Sequence, residues 1–248
     1  MRLAILSDIH GNLPALERVL ADLPRHGADL TINLGDCATG PLWPRETVEL
    51  LDTLMLATVR GNHDRLLVEA HADTLTPSMA FTRANLTPAQ CAALHQLPAT
   101  VEPAPGVLAV HGTPTDDSSY LLETSSGGPL QLATPTMLSE RLRGVAAELI
   151  LCGHSHTQHV AMAPGKRLVV NPGSVGLPRF VENPATPEQE ASAPHAHYAV
   201  ATRTTSGWDV ECIALSYDWN AVLERARCND RHDFADRFTT MLLQHHLQ

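Results

Sequence analysis

Five short aliphatic runs in this chain each break into a turn that carries Asp, Asn or His. Leu3–Leu6 is followed by Asp8-Ile9-His10, and Leu30, Ile32 and Leu34 alternate into Gly35-Asp36. Met55–Val59 leads to Gly61-Asn62-His63-Asp64, Val107–Val110 to His111-Gly112, and Leu149–Cys152 to Gly153-His154-Ser155-His156. These runs, and Leu168–Val170 after them, are too short for core helices and are bounded by Gly, Asn, Asp or Pro. They read as buried strands. Between the first two runs, Leu13, Leu16, Val19, Leu20 and Leu23 mark one helical face. After Pro44, Val48, Leu51 and Met55 do the same. Thr87-Pro88-Ala89-Gln90 is a capping box with Pro at the first helical position, and it opens a helix that stops before Pro98. Strands alternating with helices imply an α/β sheet with some parallel strands.

The last third has another pattern. His197–Thr202 and Trp208–Leu215 read as paired strands around Thr205-Ser206-Gly207, and Asp218 caps a helix through about Arg227, with a second from about Arg231. These helices, over about 219–244, could pack on the domain or on a second copy of the chain. Residues 113–135 are rich in Thr, Ser, Gly, Pro and Asp and suit a lid or long surface loop. Residues 182–196 carry three Pro and three Glu and suit an exposed hairpin. There is no internal repeat and no domain linker, so the expectation is one domain over 1–248.

Composition narrows the class. A run of 18 or more apolar residues, which a membrane span needs, does not occur. The N-terminus meets Asp8 too early for a secretory signal. The five Cys are widely spaced with no C-x-x-C pair, which fits a reducing, cytoplasmic setting rather than a disulfide framework. With 17 Lys+Arg against 27 Asp+Glu the net charge is −10, which disfavours long nucleic acid as a partner. The 14 His in so acidic a chain need a local reason.

In α/β sheets ligands bind at the carboxyl ends of the strands. Asp8, His10, Asp36, Asn62, His111, His154 and His156 would therefore converge although they are far apart in sequence. Imidazole, carboxylate and an amide oxygen form a mixed N/O donor set, which suits Mn²⁺, Fe, Zn²⁺ or Ni²⁺ better than Mg²⁺ or Ca²⁺. Seven donors exceed one tetrahedral ion. They suit two ions sharing a carboxylate, roughly 3.5–4 Å apart, a pair that can clamp both oxygens of an in-line displacement at phosphorus.

In this order, the five blocks resemble the calcineurin-like metallophosphoesterase superfamily: D-x-H, G-D, G-N-H-[DE], a later His, and G-H-x-H. Asn171-Pro172-Gly173-Ser174-Val175-Gly176-Leu177-Pro178-Arg179, His197-Tyr198-Ala199-Val200 and Tyr217-Asp218 resemble its small bacterial branch of phosphodiesterases and phosphatases. The resemblance implies an αββα fold, two packed mixed sheets flanked by helices. It implies Asp8, His10 and His156 at a first metal, Asn62, His111 and His154 at a second, and Asp36 bridging both. His63 would lie over the substrate as general acid, oriented by Asp64, while a hydroxide bridging the ions attacks phosphorus. Asn12 and Arg179 are further candidates for substrate contact, and Mn²⁺ is the first choice of metal. The expected partner is a small phosphodiester or phosphomonoester. Dinucleoside polyphosphate hydrolysis and protein dephosphorylation are alternatives on the same core, and a non-catalytic scaffold is a remoter one.

Overall fold

The computed structural model describes residues 1–125, 130–177 and 194–245. Two five-stranded mixed sheets pack face to face. The first runs in the order β12 (Trp208–Leu215), β11 (Ala196–Arg203), β1 (Arg2–Leu6), β2 (Leu30–Asn33), β3 (Ala57–Thr58). The second runs β4 (Thr100–Ala104), β5 (Val107–Val110), β8 (Leu149–Leu151), β10 (Arg167–Pro172), β9 (Gln158–Ala163). The β1-β2-β3 and β5-β8-β10 sets are parallel, with antiparallel β11 and β12 beside β1 in the first sheet and antiparallel β4 and β9 at the two edges of the second. A small ribbon, β6 (Glu123–Thr124) with β7 (Gln131–Leu132), stands apart.

Continuous apolar runs arise because both faces of the central strands are covered. Leu3 and Ile5 pack between the sheets with Val107, Ala109, Leu149 and Leu151. Ala4 and Leu6 point the other way, onto Ala15, Leu16 and Val19 of α1 (Leu13–Asp22). Each such burial contributes about 1.5–3 kcal/mol. The outer helices are α2 (Pro44–Leu54), α3 (Asn62–Glu69), α4 (Pro77–Asn85), α5 (Pro88–His95) and α6 (Pro135–Arg141). α7 (Trp219–Cys228) and α8 (His232–His245) bury Val222, Ala226, Phe234, Phe238 and Met241 against Leu42 of the same chain. The C-terminal helices thus close on their own domain face.

Three expectations change. The strand over Met55–Val59 shrinks to two residues, because Ala57 and Thr58 are the positions that pair with β2. Met55 is left-handed (φ 46°) just past α2 and 90% exposed, so it belongs neither to a strand nor to the buried helical face. The segment 113–135 is not a free lid where described. Leu121 and Leu122 are buried with Leu138, Ile150 and Cys152. The expected hairpin over 182–196 falls outside the described residues up to residue 193, and Ala196 already begins β11.

Candidate metal centre

The turns after β1, β2 and β8 are built from residues with left-handed backbone. Asp8 (φ 55°), His10 (φ 51°), Asp36 (φ 55°), His154 (φ 69°) and His156 (φ 57°) all lie there. Asp and His tolerate this region better than most residues. It turns the chain sharply off the strand end and aims the side chain back across the sheet edge. Backbone bonds stitch the turns together: Asp8 N–H donates to Gly35 O (3.0 Å), His10 N–H to Asp36 O (3.0 Å), and Gly153 N–H to His111 O (2.7 Å). A Cβ on Gly61 would stand 2.1 Å from Asp36 Oδ1, so only glycine lets the two loops meet.

Among the described residues two groups of N/O donors result, Asp8 with His10 and His156, and Asp8 with Asp36 and His111. His156 Nε2 lies 3.3 Å from Asp8 Oδ1 and 3.1 Å from His10 Nε2. Asp36 Oδ2 stands between His111 Nε2 (3.4 Å) and His10 Nε2 (3.8 Å). Asn62 Oδ1 is 3.0 Å from His111 Nε2. His154 lies outside both groups, with its ring centroid 5.2 Å from that of His111.

The donor set fits divalent ions on two counts. Asp8 Oδ2 accepts from Ser7 Oγ (2.5 Å) and His154 N–H (3.1 Å), but Asp8 Oδ1 is buried with no hydrogen-bond partner among the described residues. A buried acceptor left without a donor is costly and marks a missing cation or donor. His10 Nδ1 and His111 Nδ1 sit 2.7 Å from the carbonyls of Thr39 and Leu34. Each must donate to its carbonyl, so in the neutral ring Nε2 carries the lone pair and faces the centre.

The electrostatics agree. Burial opposes ionisation of Asp8 and Asp36, yet His156 and His10 around the first, and His111 and His63 around the second, hold both well below the usual carboxylate range. Burial likewise opposes charge on His111, but Asp36 and Asp8 outweigh it and push its pKa up to about 10. The cluster favours positive charge.

The expected pairing of Asp64 with His63 needs correction. His63 lines the centre, with Nε2 4.0 Å from Asp36 Oδ2 and its ring edge-on to His10. Asp64 does not orient it. Asp64 Oδ2 accepts from Asp36 N–H (2.8 Å) and Gly61 N–H (3.0 Å), and Oδ1 from Cys37 N–H (3.0 Å). His63 Nδ1 is buried without a partner among the described residues. The physical reason is helical: neighbouring residues at the start of α3 do not face each other, and an acid at the third position folds back to the N-cap. Burial, with His10, His111 and His156 nearby, lowers the His63 pKa to about 4, so its ring is neutral. Burial and Asp36 push Asp64 up to about 7, against the N–H donors of Gly61 and Cys37.

Asn12 is also corrected. It is fully buried, its Oδ1 caps α1 at Ala15 N–H (3.3 Å), and its Nδ2 donates to Gly176 O (2.7 Å) and Tyr217 Oη (3.1 Å). It is a structural tie rather than a substrate contact. Arg179 falls outside the described residues. The cavity at the centre, about 210 Å³, also takes walls from Tyr120, Leu177 and Phe234. No sequence motif marked these three. Leu177 lay within the Asn171–Arg179 stretch, Tyr120 within 113–135 and Phe234 within the C-terminal helices, none of them read there as a site residue.

Two packed mixed sheets with a histidine–carboxylate centre at their strand ends define a metal-dependent hydrolase. The family model of the calcineurin-like phosphoesterase superfamily domain matches residues 1–187. The chain belongs to that superfamily, whose members use divalent metal ions, and it is a metallophosphoesterase. The uncharacterized protein MJ0912 of Methanocaldococcus jannaschii is 28% identical over 206 residues, 74% of this chain and 80% of that protein. The crystal structure of a metallophosphoesterase from Sphaerobacter thermophilus shares the fold at TM-score 0.74 and 24% identity, over 97% of this chain and 100% of that one. Hypothetical protein PH1004 from Pyrococcus horikoshii OT3 does so at TM-score 0.73 and 22% identity, over 97% of each chain. Among the described residues no helix is long and apolar enough to cross a membrane.

Proposed function

We propose that the chain hydrolyses a small phosphate monoester or diester with two divalent ions, Mn²⁺ foremost. Asp8, His10 and His156 would hold one ion, Asn62, His111 and His154 the other, with Asp36 between them. The observation that carries this is the buried, unpartnered Asp8 Oδ1, shared by two donor groups that each include imidazole. Bound ions of this kind polarise a phosphoryl oxygen and lower the pKa of a water.

The chain's own residues do the rest. Asp64 and Gly61 hold the Asp36 turn. Thr39 and Leu34 carbonyls fix the His10 and His111 rings. His63 faces the cavity as a neutral imidazole in the free protein. A phosphoryl group brings negative charge beside it, which favours the imidazolium, and His63 then gives its proton to the leaving oxygen. A cavity of about 210 Å³ suits a small ester.

The test is a panel of p-nitrophenyl phosphate, bis-p-nitrophenyl phosphate and diadenosine tetraphosphate with Mn²⁺, run with metal analysis on two variants. Asp36→Asn should lose both ion binding and activity. His63→Ala should keep two ions and lose activity on every ester. If His63→Ala emptied the centre, the separation of roles would be wrong.

A further inference from the structure

The turn after β5 brings a carbonyl to a histidine that the two donor groups leave out. His154 Nε2 lies 3.0 Å from Ser118 O. A carbonyl oxygen only accepts, so Nε2 must carry the hydrogen, and in the neutral ring Nδ1 keeps the lone pair. The Tyr120 ring lies against the same imidazole, centroids 4.8 Å apart and tilted by 31°.

The strap that carries this carbonyl is held from α3. Arg65 Nε donates to Asp117 Oδ2 (2.8 Å) and Nη2 to Asp117 Oδ1 (2.8 Å), a two-pronged pair that fixes orientation as well as distance. Arg65 Nη2 also reaches Ser118 Oγ (3.2 Å), and Nη1 reaches Glu69 Oε2 (2.9 Å) on its own helix. The side chains of Arg65 and Asp117 are 23% and 14% exposed, so water competes little for this pair. Within the strap, Asp116 Oδ1 accepts from Ser118 N–H (3.0 Å), and Thr113 N–H donates to Asp116 O (2.9 Å). Arg65 lies three residues after Asn62 on the same helix. One rigid element therefore supplies a candidate ligand and the anchor of another ligand's partner.

We propose that Arg65 is a positioning residue: through Asp117 it holds the Ser118 carbonyl against His154 Nε2 and so presents Nδ1 as the donor nitrogen for the second ion. The role rests on the reading that His154 binds that ion. Partners that set the tautomer of a liganding histidine typically change metal affinity 10–100-fold when removed.

The test uses the full chain in two states. In the metal-free protein, long-range ¹⁵N–¹H spectra of the histidine rings should show His154 as the Nε2–H tautomer. Arg65→Met and Asp117→Asn should each turn it into a mixture. In Mn²⁺ titrations both variants should bind the second ion about 10–100-fold more weakly, with the first ion unchanged. The double variant should be no weaker than the worse single one, and Arg65→Lys should restore part of the loss. Asp117→Asn keeps shape and volume, so it reports even if Arg65→Met folds poorly. If both variants kept a pure Nε2–H His154 and wild-type affinity for both ions, the clamp would be refuted. His154→Ala is run in parallel. Retention of two ions at wild-type affinity by that variant would overturn the metal half of the proposal and the His154 assignment. The tautomer half is decided by the spectra alone.

Discussion

Asp64→Asn separates two jobs that the chain could give one carboxylate. Beside His63 in sequence, Asp64 was expected to orient that ring. The structure instead spends both its oxygens on three backbone N–H groups, of Asp36, Gly61 and Cys37. An asparagine can keep its amide oxygen where Asp64 Oδ2 accepts two of them. Its NH₂ then faces the Cys37 N–H, donor against donor. One buried N–H left unsatisfied costs about 1–3 kcal/mol, and the two retained bonds lose their charge assistance. Against this, removing the Asp64 charge relieves its burial and its repulsion with Asp36, the two causes that push its pKa up to about 7. The opposing effects leave a net loss of roughly 1–2 kcal/mol of stability. The larger effect is local. With the Cys37 and Asp36 amides loosened, Asp36 loses its aim, and ion affinity should fall 10–100-fold, as for other partners that orient ligands.

The assay is Mn²⁺ titration calorimetry beside p-nitrophenyl phosphate kinetics at saturating Mn²⁺. Weakened ion binding, with activity recovered at high Mn²⁺, is the expected outcome. Unchanged ion binding with activity lost at every Mn²⁺ concentration would refute the reasoning. It would return Asp64 to the His63 role.

Three further outcomes follow from the same contacts. Gly61→Ala puts a Cβ 2.1 Å from Asp36 Oδ1 and 2.4 Å from Asp36 N, so metal analysis should find both ions lost; full loading would show that the loops need not interlock. Chelation followed by Mn²⁺ at about 100 times its Kd should raise unfolding stability by about 2.7 kcal/mol for each ion bound, and a melting temperature indifferent to both steps would deny the centre its ions. Tyr198→Phe removes the buried hydroxyl that donates to Asp22 Oδ2 at 2.7 Å. Because Arg18 and Arg25 still contact Asp22, the loss in urea unfolding at pH 7 should be about 1–2 kcal/mol. Tyr198 is the chief cause holding the Asp22 carboxyl below its usual range, against burial. That stabilisation is present above the unfolded value near 4 and fades as pH falls through the lower folded value. The Tyr198→Phe difference should therefore shrink below pH 4, and a difference constant with pH would sink the assignment.

Much of the architecture was legible because strand ends carry both signals at once. Leu3–Leu6 is apolar on both faces because helices and a second sheet cover it, and Asp8 and His10 follow because the chain must turn there. What stayed hidden has physical reasons. α4 and α6 are short and lack a strong apolar period, yet each opens on Thr-Pro, Thr76-Pro77 and Thr134-Pro135, with Thr as N-cap and Pro at the first helical position. The same signal was read at Thr87-Pro88 and could have been read at all three. The partner of Asp64 was hidden because adjacency in sequence is not adjacency on a helix. Leu121 and Leu122 were masked by the polar composition around them. Tyr120, Ser118 and Arg65 act through tertiary contacts between α3 and a turn some 50 residues on, and no local pattern records those.

The five left-handed residues join these threads. A non-glycine residue in that region costs about 1 kcal/mol or more, so Asp8, His10, Asp36, His154 and His156 together carry about 5 kcal/mol of backbone strain. That is a large share of the 5–15 kcal/mol net stability of a typical protein. The strain persists because the turns are over-determined. Asp8 and His10 N–H bond to the Gly35 and Asp36 carbonyls, Asp64 gathers three amides, and Gly153 N–H bonds to His111 O. Apart from the Gly61–Asp64 bond, which lies within one turn, each of these bonds joins one strand-end turn to another, so no turn can relax alone. The consequence is a cluster of donors fixed before any ion arrives. Ordering cost is met by the fold, and ion binding has correspondingly less of it to overcome. The same logic explains why Asp8 Oδ1 can remain without a hydrogen-bond donor. Ser7 Oγ and His154 N–H hold the other oxygen, Oδ2, so Oδ1 is turned toward the histidines of the centre.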